Sequence, residues 1–198
     1  MIITRLSGGM GNQMFQYAIG RALSIRYDIP LKLDVTFLDH RVKMSNTVRP
    51  NFIFRTFDLS VFNINAEIAE LYEISFWNRP FFKGRLMLIV DALLRKLAFL
   101  PGWEKKFSFN KNVLKFRPNT YLQGFWQSEK YFIDVADTIR KDLTLKESLS
   151  KTSSELLEEI ENTESLCVHL RRSHGGGSFH GKYDMSYYEK GIEHIMKN

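Results

Sequence analysis

Three short stretches of this 198-residue chain combine residue types that hold charged or hydroxylated ligands. The first is Gly8-Gly9-Met10-Gly11-Asn12-Gln13, with three glycines in four positions. Glycine frees the backbone for positive φ and lets a ligand approach it closely. The amides of Asn12, Gln13 and the nearby Gln16 either bond sugar hydroxyls or cap the loop itself. The second stretch is His169-Leu170-Arg171-Arg172. A guanidinium is always charged and grips two oxygens at once, which suits a diphosphate. Successive residues at a strand end face opposite ways, so one arginine is expected on phosphate and the other on structure. The third is Gly124-Phe125-Trp126-Gln127, whose indole either stacks on a sugar ring or fills the core.

These stretches need elements to position them. Ile2-Ile3-Thr4-Arg5-Leu6 is a short β-branched run leading into the glycines, and a helical pattern follows to about Tyr27-Asp28. That order predicts strand, tight loop and helix. The loop then opens onto free N–H groups at the positive end of the helix, where phosphate or sugar oxygens bind well. Leu31-Lys32-Leu33-Asp34 predicts a second strand, parallel to the first across a β-α-β crossover. The glycine spacing lacks the third glycine of a dinucleotide fingerprint, and no Gly-Lys-Ser/Thr follows as in a Walker A loop. A structural turn and a ligand loop both remain open on the glycines alone.

Further along, a short helix is expected around residues 67–74. Residues 81–100 place Lys83, Arg85, Arg95 and Lys96 around an apolar centre broken by Asp91. This is either a basic amphipathic helix lying on an anionic membrane surface or a buried connecting helix with solvated ends. Asn119-Thr120-Tyr121-Leu122-Gln123 predicts a strand, with a loop at Gly124 and a helix starting near Ser128. Phe132, Val135, Ala136, Ile139 and Leu143 then recur at helical spacing and mark one buried face. The polar stretch 144–152 is expected to link a first domain, 1–143, to a second, 153–198. Thr152-Ser153-Ser154-Glu155 predicts a capping box opening a helix through Glu161. Leu166-Cys167-Val168-His169-Leu170 predicts a strand delivering the arginines to its carboxyl end, where open α/β sheets bind ligands. A last helix is expected from Ser186, with Tyr187, Ile192 and Ile195 facing inward.

Composition narrows the function classes. A hydrophobic share of 44% and a charged share of 25% fit a globular chain with a real core. A single cysteine, Cys167, rules out an internal disulfide framework and predicts a buried structural thiol. No stretch approaches the roughly 18 apolar residues of a membrane span, and no leader pattern follows Met1. A reducing cytoplasm is the expected setting, with peripheral contact on the inner face of the membrane through 81–100. The net charge of +6 favours an anionic partner such as a nucleotide-sugar diphosphate. A basic nucleic-acid-binding domain is the distant alternative, since no recognised nucleic-acid motif is present. His174 and His180 lack the Cys or carboxylate partners of a zinc site, so no metal is expected.

The wording of the glycine stretch, continuing through Met14-Phe15-Gln16-Tyr17-Ala18, resembles the amino-terminal signature of bacterial α-1,2-fucosyltransferases of glycosyltransferase family 11. Gly124-Phe125-Trp126-Gln127-Ser128-Glu129-Lys130-Tyr131-Phe132 resembles a second family block, and His169-Leu170-Arg171-Arg172 resembles its H-x-R-R-x-D motif. The resemblance implies an α/β fold of the two-lobe, Rossmann-type GT-B kind, with a whole first lobe and a second lobe only begun. It implies transfer of L-fucose from GDP-fucose to the 2-hydroxyl of a galactoside, with inversion, no metal and no cofactor beyond the donor substrate. By resemblance Arg171 contacts the β-phosphate of GDP-fucose, with Arg172 and His169 grouped beside it. Gly8, Gly9, Gly11, Asn12 and Gln13 form the ligand loop, and Trp126 and Gln127 lie on the acceptor side.

The chain departs from the family after the arginines. Ser173-His174-Gly175-Gly176-Gly177 stands where Gly-Asp-Tyr is usual, so the motif acid falls on His174. An imidazole cannot orient the arginines as a carboxylate does. The catalytic base stays unassigned, Asp34 and Glu129 being the residues considered. A truncated, non-catalytic copy that at most binds glycan or GDP weakly is the rival reading, and no measurable fucosyl transfer is expected from these 198 residues by themselves.

Overall fold

The computed structural model describes residues 1–38, 55–78 (side chains through 74), 102, 104, 108–169 and 185–197. The chain divides into two compact units that change over between Lys146 and Glu147, inside the stretch read as a linker.

The first unit is α/β. Strand β1 (Ile2–Arg5) leads through the glycine loop into helix α1 (Met10–Tyr27), which returns the chain to β2 (Leu31–Asp34). β3 (Glu67–Ile68) and helix α2 (Leu71–Asn78) follow, then β4 (Thr120–Leu122) and helix α3 (Ala136–Asp142). The four strands among the described residues are all parallel, in the order β3-β2-β1-β4. The register aligns Ile2 with Leu31 and Thr120, and Arg5 with Asp34.

Alternation along β1 assigns its two faces. Ile2, with Leu6 beyond the strand, joins Tyr17, Ala18, Ile19 and Leu23 of α1 and Leu31, Leu33 and Leu122 in the main core. Thr4 faces α1 so closely that a Cβ on Gly20 would lie 2.3 Å from its Oγ1. Only glycine allows that approach of helix to strand. Ile3 faces the other way and packs with Ala69, Ile74 and Tyr121. α1 ends where expected, at Asp28, whose left-handed backbone (φ 51°) turns its N–H back onto the last carbonyls.

Three expectations shift. Residues 67–68 are not helical: Glu67 aligns with Lys32, Ala69 N–H donates to the Leu33 carbonyl, and the strand pairing postpones the helix to Leu71. No α-helix starts at Ser128. Two 3₁₀ turns, Glu129–Tyr131 and Ile133–Val135, come first. The apolar periodicity holds nonetheless, with Ile139 buried and Phe132, Val135 and Leu143 packed on the main core. Residues 81–100 lie outside the described residues, so the basic amphipathic segment is not placed. Among the described residues no helix is long and apolar enough to cross a membrane.

The second unit contains helices α4 (Lys151–Glu161) and α5 (Met185–Met196). α4 starts earlier than the predicted capping box: Ser150 is the N-cap, and its hydroxyl accepts from Ser153 N–H at 3.2 Å. Residues 164–169 form no strand and are exposed, including Cys167, which was expected to be buried. No described residue of α5 is buried, so Tyr187 and Ile195 do not face a core.

Candidate active site at the carboxyl ends of β1 and β4

β2 and β3 lie on one side of β1, and β4 lies on the other. The crossover direction therefore reverses between β1 and β4. In an open parallel sheet that switch point, at the carboxyl ends of the strands, is where ligands bind. Both loops singled out in the sequence leave the sheet at this crevice.

The loop after β1 is held from inside by the helix it introduces. Gly8 takes φ 78°, a left-handed backbone that favours glycine, and a Cβ there would fall 2.4 Å from Asn12 Nδ2 and push that side chain aside. Gly9 is the N-cap of α1 and makes no side-chain cap. Gln13 is fully buried. Its Nε2 donates to the carbonyls of Gly8 (3.0 Å) and Thr56 (2.8 Å), and its Oε1 accepts from Asp58 N–H (2.9 Å). Gln16, one turn on, is equally buried. Its Oε1 accepts from Ser7 N–H (2.8 Å), and its Nε2 donates to Ser7 Oγ (3.0 Å) and to the Gly124 carbonyl (2.9 Å). Buried amides satisfied this completely fix backbone rather than greet solvent. Of the roles open to the three amides, the structure gives Gln13 and Gln16 the loop-holding one.

Asn12 differs. It is half-buried, and its Oδ1 accepts from Gln127 Nε2 at 2.7 Å. Gln127 is exposed and comes from the loop after β4. The two blocks 115 residues apart thus meet side chain to side chain across the switch point.

The loop after β4 has its own support, which sequence reasoning missed. Gly102 and Glu104 pair with the backbone of Gln123. The Glu104 carboxylate then accepts from Phe125 N–H (2.6 Å) and Trp126 N–H (3.2 Å). A Cβ on Gly124 would strike Glu104 Cβ at 2.4 Å, so the glycine makes room for this clasp. Nothing around Glu104 in the sequence signals it. Trp126 is 1% exposed, with edge-on contacts to Phe116 and Tyr131. Its ring belongs to the main core and presents no face for a sugar to stack on.

Beneath the loops lie two polar anchors. Asp34 is fully buried at the end of β2. It accepts from Thr36 N–H (2.9 Å), Thr36 Oγ1 (2.6 Å) and the Tyr121 hydroxyl. Tyr17 donates to Asp142 Oδ2 at 2.6 Å and accepts from Asn65 N–H, while Arg21 pairs with the same carboxylate at 2.9 Å. Burial pushes the Tyr17 phenol far above its ordinary range, and the bond to Asp142 adds to the shift. Glu129 is exposed and pairs with Arg140 at 3.4 Å on the surface.

Arg171 and Arg172 lie outside the described residues, as do His174 and His180. His169 is exposed in the second unit, in a segment without strand pairing. Among the described residues no cluster of three or more His, Cys, Asp or Glu could hold a metal ion.

Comparison with known proteins agrees with these motifs. The alpha-1,2-colitosyltransferase of Escherichia coli is 28% identical over 100% of this chain and 64% of its own length. The O-antigen biosynthesis glycosyltransferase WbnK of Escherichia coli is 29% identical over 96% of the chain and 66% of its own length. The chain thus spans just under two thirds of the curated relatives it matches. No solved structure matches it significantly. The family model for glycosyl transferase family 11 matches residues 1–198, every residue of the chain including both blocks that meet at the switch point, so the chain belongs to that family.

Proposed function

We propose that this protein transfers L-fucose from GDP-fucose to the 2-hydroxyl of a galactoside in glycan synthesis, with inversion and without a metal. The observation that carries the reading is the family match over the whole chain, together with Asn12 and Gln127 meeting at the switch point. As the sugar–phosphate bond breaks, positive charge develops on the sugar and negative charge on the leaving GDP. Fixed guanidinium groups stabilise that negative charge without a cation. On this reading Arg171 grips the β-phosphate, and Arg172 and His169 support it. Asn12 and Gln127 stand where acceptor hydroxyls would arrive, and the backbone of Gly8, Gly9 and Gly11 allows close approach. Residues 81–100 would bring the protein to an anionic membrane surface.

A second reading exchanges the donor for a colitosyl one, and it rests on the similarity to the Escherichia coli alpha-1,2-colitosyltransferase over the entire chain. Incubating the protein with GDP-fucose or GDP-colitose and a lactose-type acceptor, with products read by mass spectrometry, separates the two. A fucosylated product supports the first reading. A colitosylated product alone moves the assignment to the second, and no product with either donor sinks both. The rival of a non-catalytic copy predicts the last result together with weak GDP binding.

A further inference from the structure

The sheet face turned away from α1 carries two cations, and they are treated very differently. Lys32, the register partner of Ile3, is paired with Glu73 at 2.7 Å and with Glu67 at 3.5 Å. Arg5 ends β1 on the same face and has Asp34 as its register partner. Yet Asp34 spends its oxygens on Thr36 and Tyr121. Arg5 instead lays its guanidinium over the Phe37 ring, 4.4 Å from the centroid. Among the described residues it has no hydrogen-bond acceptor and no carboxylate.

The side chain is half-buried, while its nitrogens are absent from the buried unpartnered atoms and so reach solvent. The cation–π contact orients the guanidinium plane but uses none of its five N–H donors. The fork therefore stands open at the carboxyl end of the central strand, beside the switch point.

We infer that Arg5 is an oxyanion-binding residue of the first unit, taking a phosphate or carboxylate group of a substrate through its free fork. This deepens the glycosyltransferase reading, which names the two molecules that could bring the oxyanion: the donor with its diphosphate, or an acceptor bearing an acidic sugar. The binding step itself needs no transfer.

The test is isothermal titration of inorganic pyrophosphate and of galacturonate into the protein and its Arg5→Met and Arg5→Lys variants. Arg5→Met is expected to weaken one of the two probes by about tenfold or more, the scale of a charge-assisted pair. Arg5→Lys, which keeps the charge and loses the fork, should fall between. Loss confined to pyrophosphate identifies the diphosphate as the source, and loss confined to galacturonate identifies an acidic acceptor. Thermal unfolding accompanies each titration; if Arg5→Met does not fold, Arg5→Lys decides alone. No binding of either probe by the parent protein, or equal binding by parent and folded variants, overturns the inference. Absence of fucosyl transfer would refute the proposed reaction and leave this result standing.

Discussion

Helix α1 and helix α4 show what an apolar pattern does with and without a sheet beneath it. α1 buries nine of its eighteen residues, and two of those nine are glutamines. α4 carries Leu156, Leu157 and Ile160 within its eleven residues and buries none of them. By residue type α4 is the tidier amphipathic helix, with its charges and its apolar stripe well separated. The difference lies in the partner layer. β1, β2 and β4 give α1 an apolar floor, and Gly20 lets it settle onto Thr4. A helix pattern states which face asks to be buried, and only a second layer supplies the burial.

The comparison is broken most directly by truncating one leucine in each place. Leu122 in β4 is fully buried in the main core, so Leu122→Ala should cost about 2–5 kcal/mol. Leu157 is 42% exposed, so Leu157→Ala should stay within about 0.5 kcal/mol. Urea unfolding followed by far-ultraviolet circular dichroism, which sees the helices of both units, measures both. Similar losses at the two positions would mean that Leu157 is covered in solution.

A second contrast lies inside the first unit, between amides hidden and amides offered. Gln16→Leu would strand Ser7 N–H and the Gly124 carbonyl, and should cost about 2 kcal/mol or more. Gln127→Leu, on the exposed side of the crevice, should change stability by about 0.5 kcal/mol or less. Under the proposed function it should raise the KM for the acceptor while the unfolding midpoint holds. A stability loss at Gln127 equal to that at Gln16 would make the Asn12–Gln127 contact another internal tie.

Those glutamines also mark how far the sequence could be read. The strand-loop-helix-strand order of the first 34 residues was legible because β-branched runs, glycines and helical spacing all agreed there. That Asn12, Gln13 and Gln16 belong together was legible as well. Which of them faces the ligand was not, because it depends on where Gly124, Thr56 and Asp58 arrive in space. Trp126 posed the same problem, since sequence offers a ring and only packing tells whether it is covered. Glu104 gave no signal, its partners lying 21 and 22 residues away in backbone N–H groups that any sequence carries. Residues 166–169 failed for the reason α4 is bare. A short apolar run forms a strand only beside another strand, and no strand pairs with it among the described residues.

The buried anchor under α1 predicts a pH dependence. The Tyr17 phenol has its pKa raised from 10.0, by burial first and by the Asp142 bond second. Its protonated form is favoured by folding, so that stabilisation is whole below the unfolded value. It is lost as pH rises past 10 toward the higher folded value. The unfolding midpoint in urea should therefore hold up to about pH 9 and fall progressively above about pH 10. In Tyr17→Phe, which starts less stable, the fall should be shallower. Parallel curves for the two proteins would remove Tyr17 from the account.

The most local effect is expected at the other end of the comparison, in the cap of α4. The Ser150 hydroxyl accepts from Ser153 N–H and is 2.9 Å from Ser153 Oγ, satisfying one of the donors that a helix start leaves free. Ser150→Ala should cost the helix about 1 kcal/mol. In a buried helix that loss would be shared with the core. Here the helix buries no side chain, and an eleven-residue helix standing on propensity and capping alone is marginal in water. The substitution should speed amide exchange through residues 154–161 while leaving exchange in α1 and the unfolding midpoint of the first unit unchanged. Slow exchange in α4 that survives the loss of its cap would show that something in solution packs on Leu156, Leu157 and Ile160. The contrast between a helix with a floor and a helix without one would then fail.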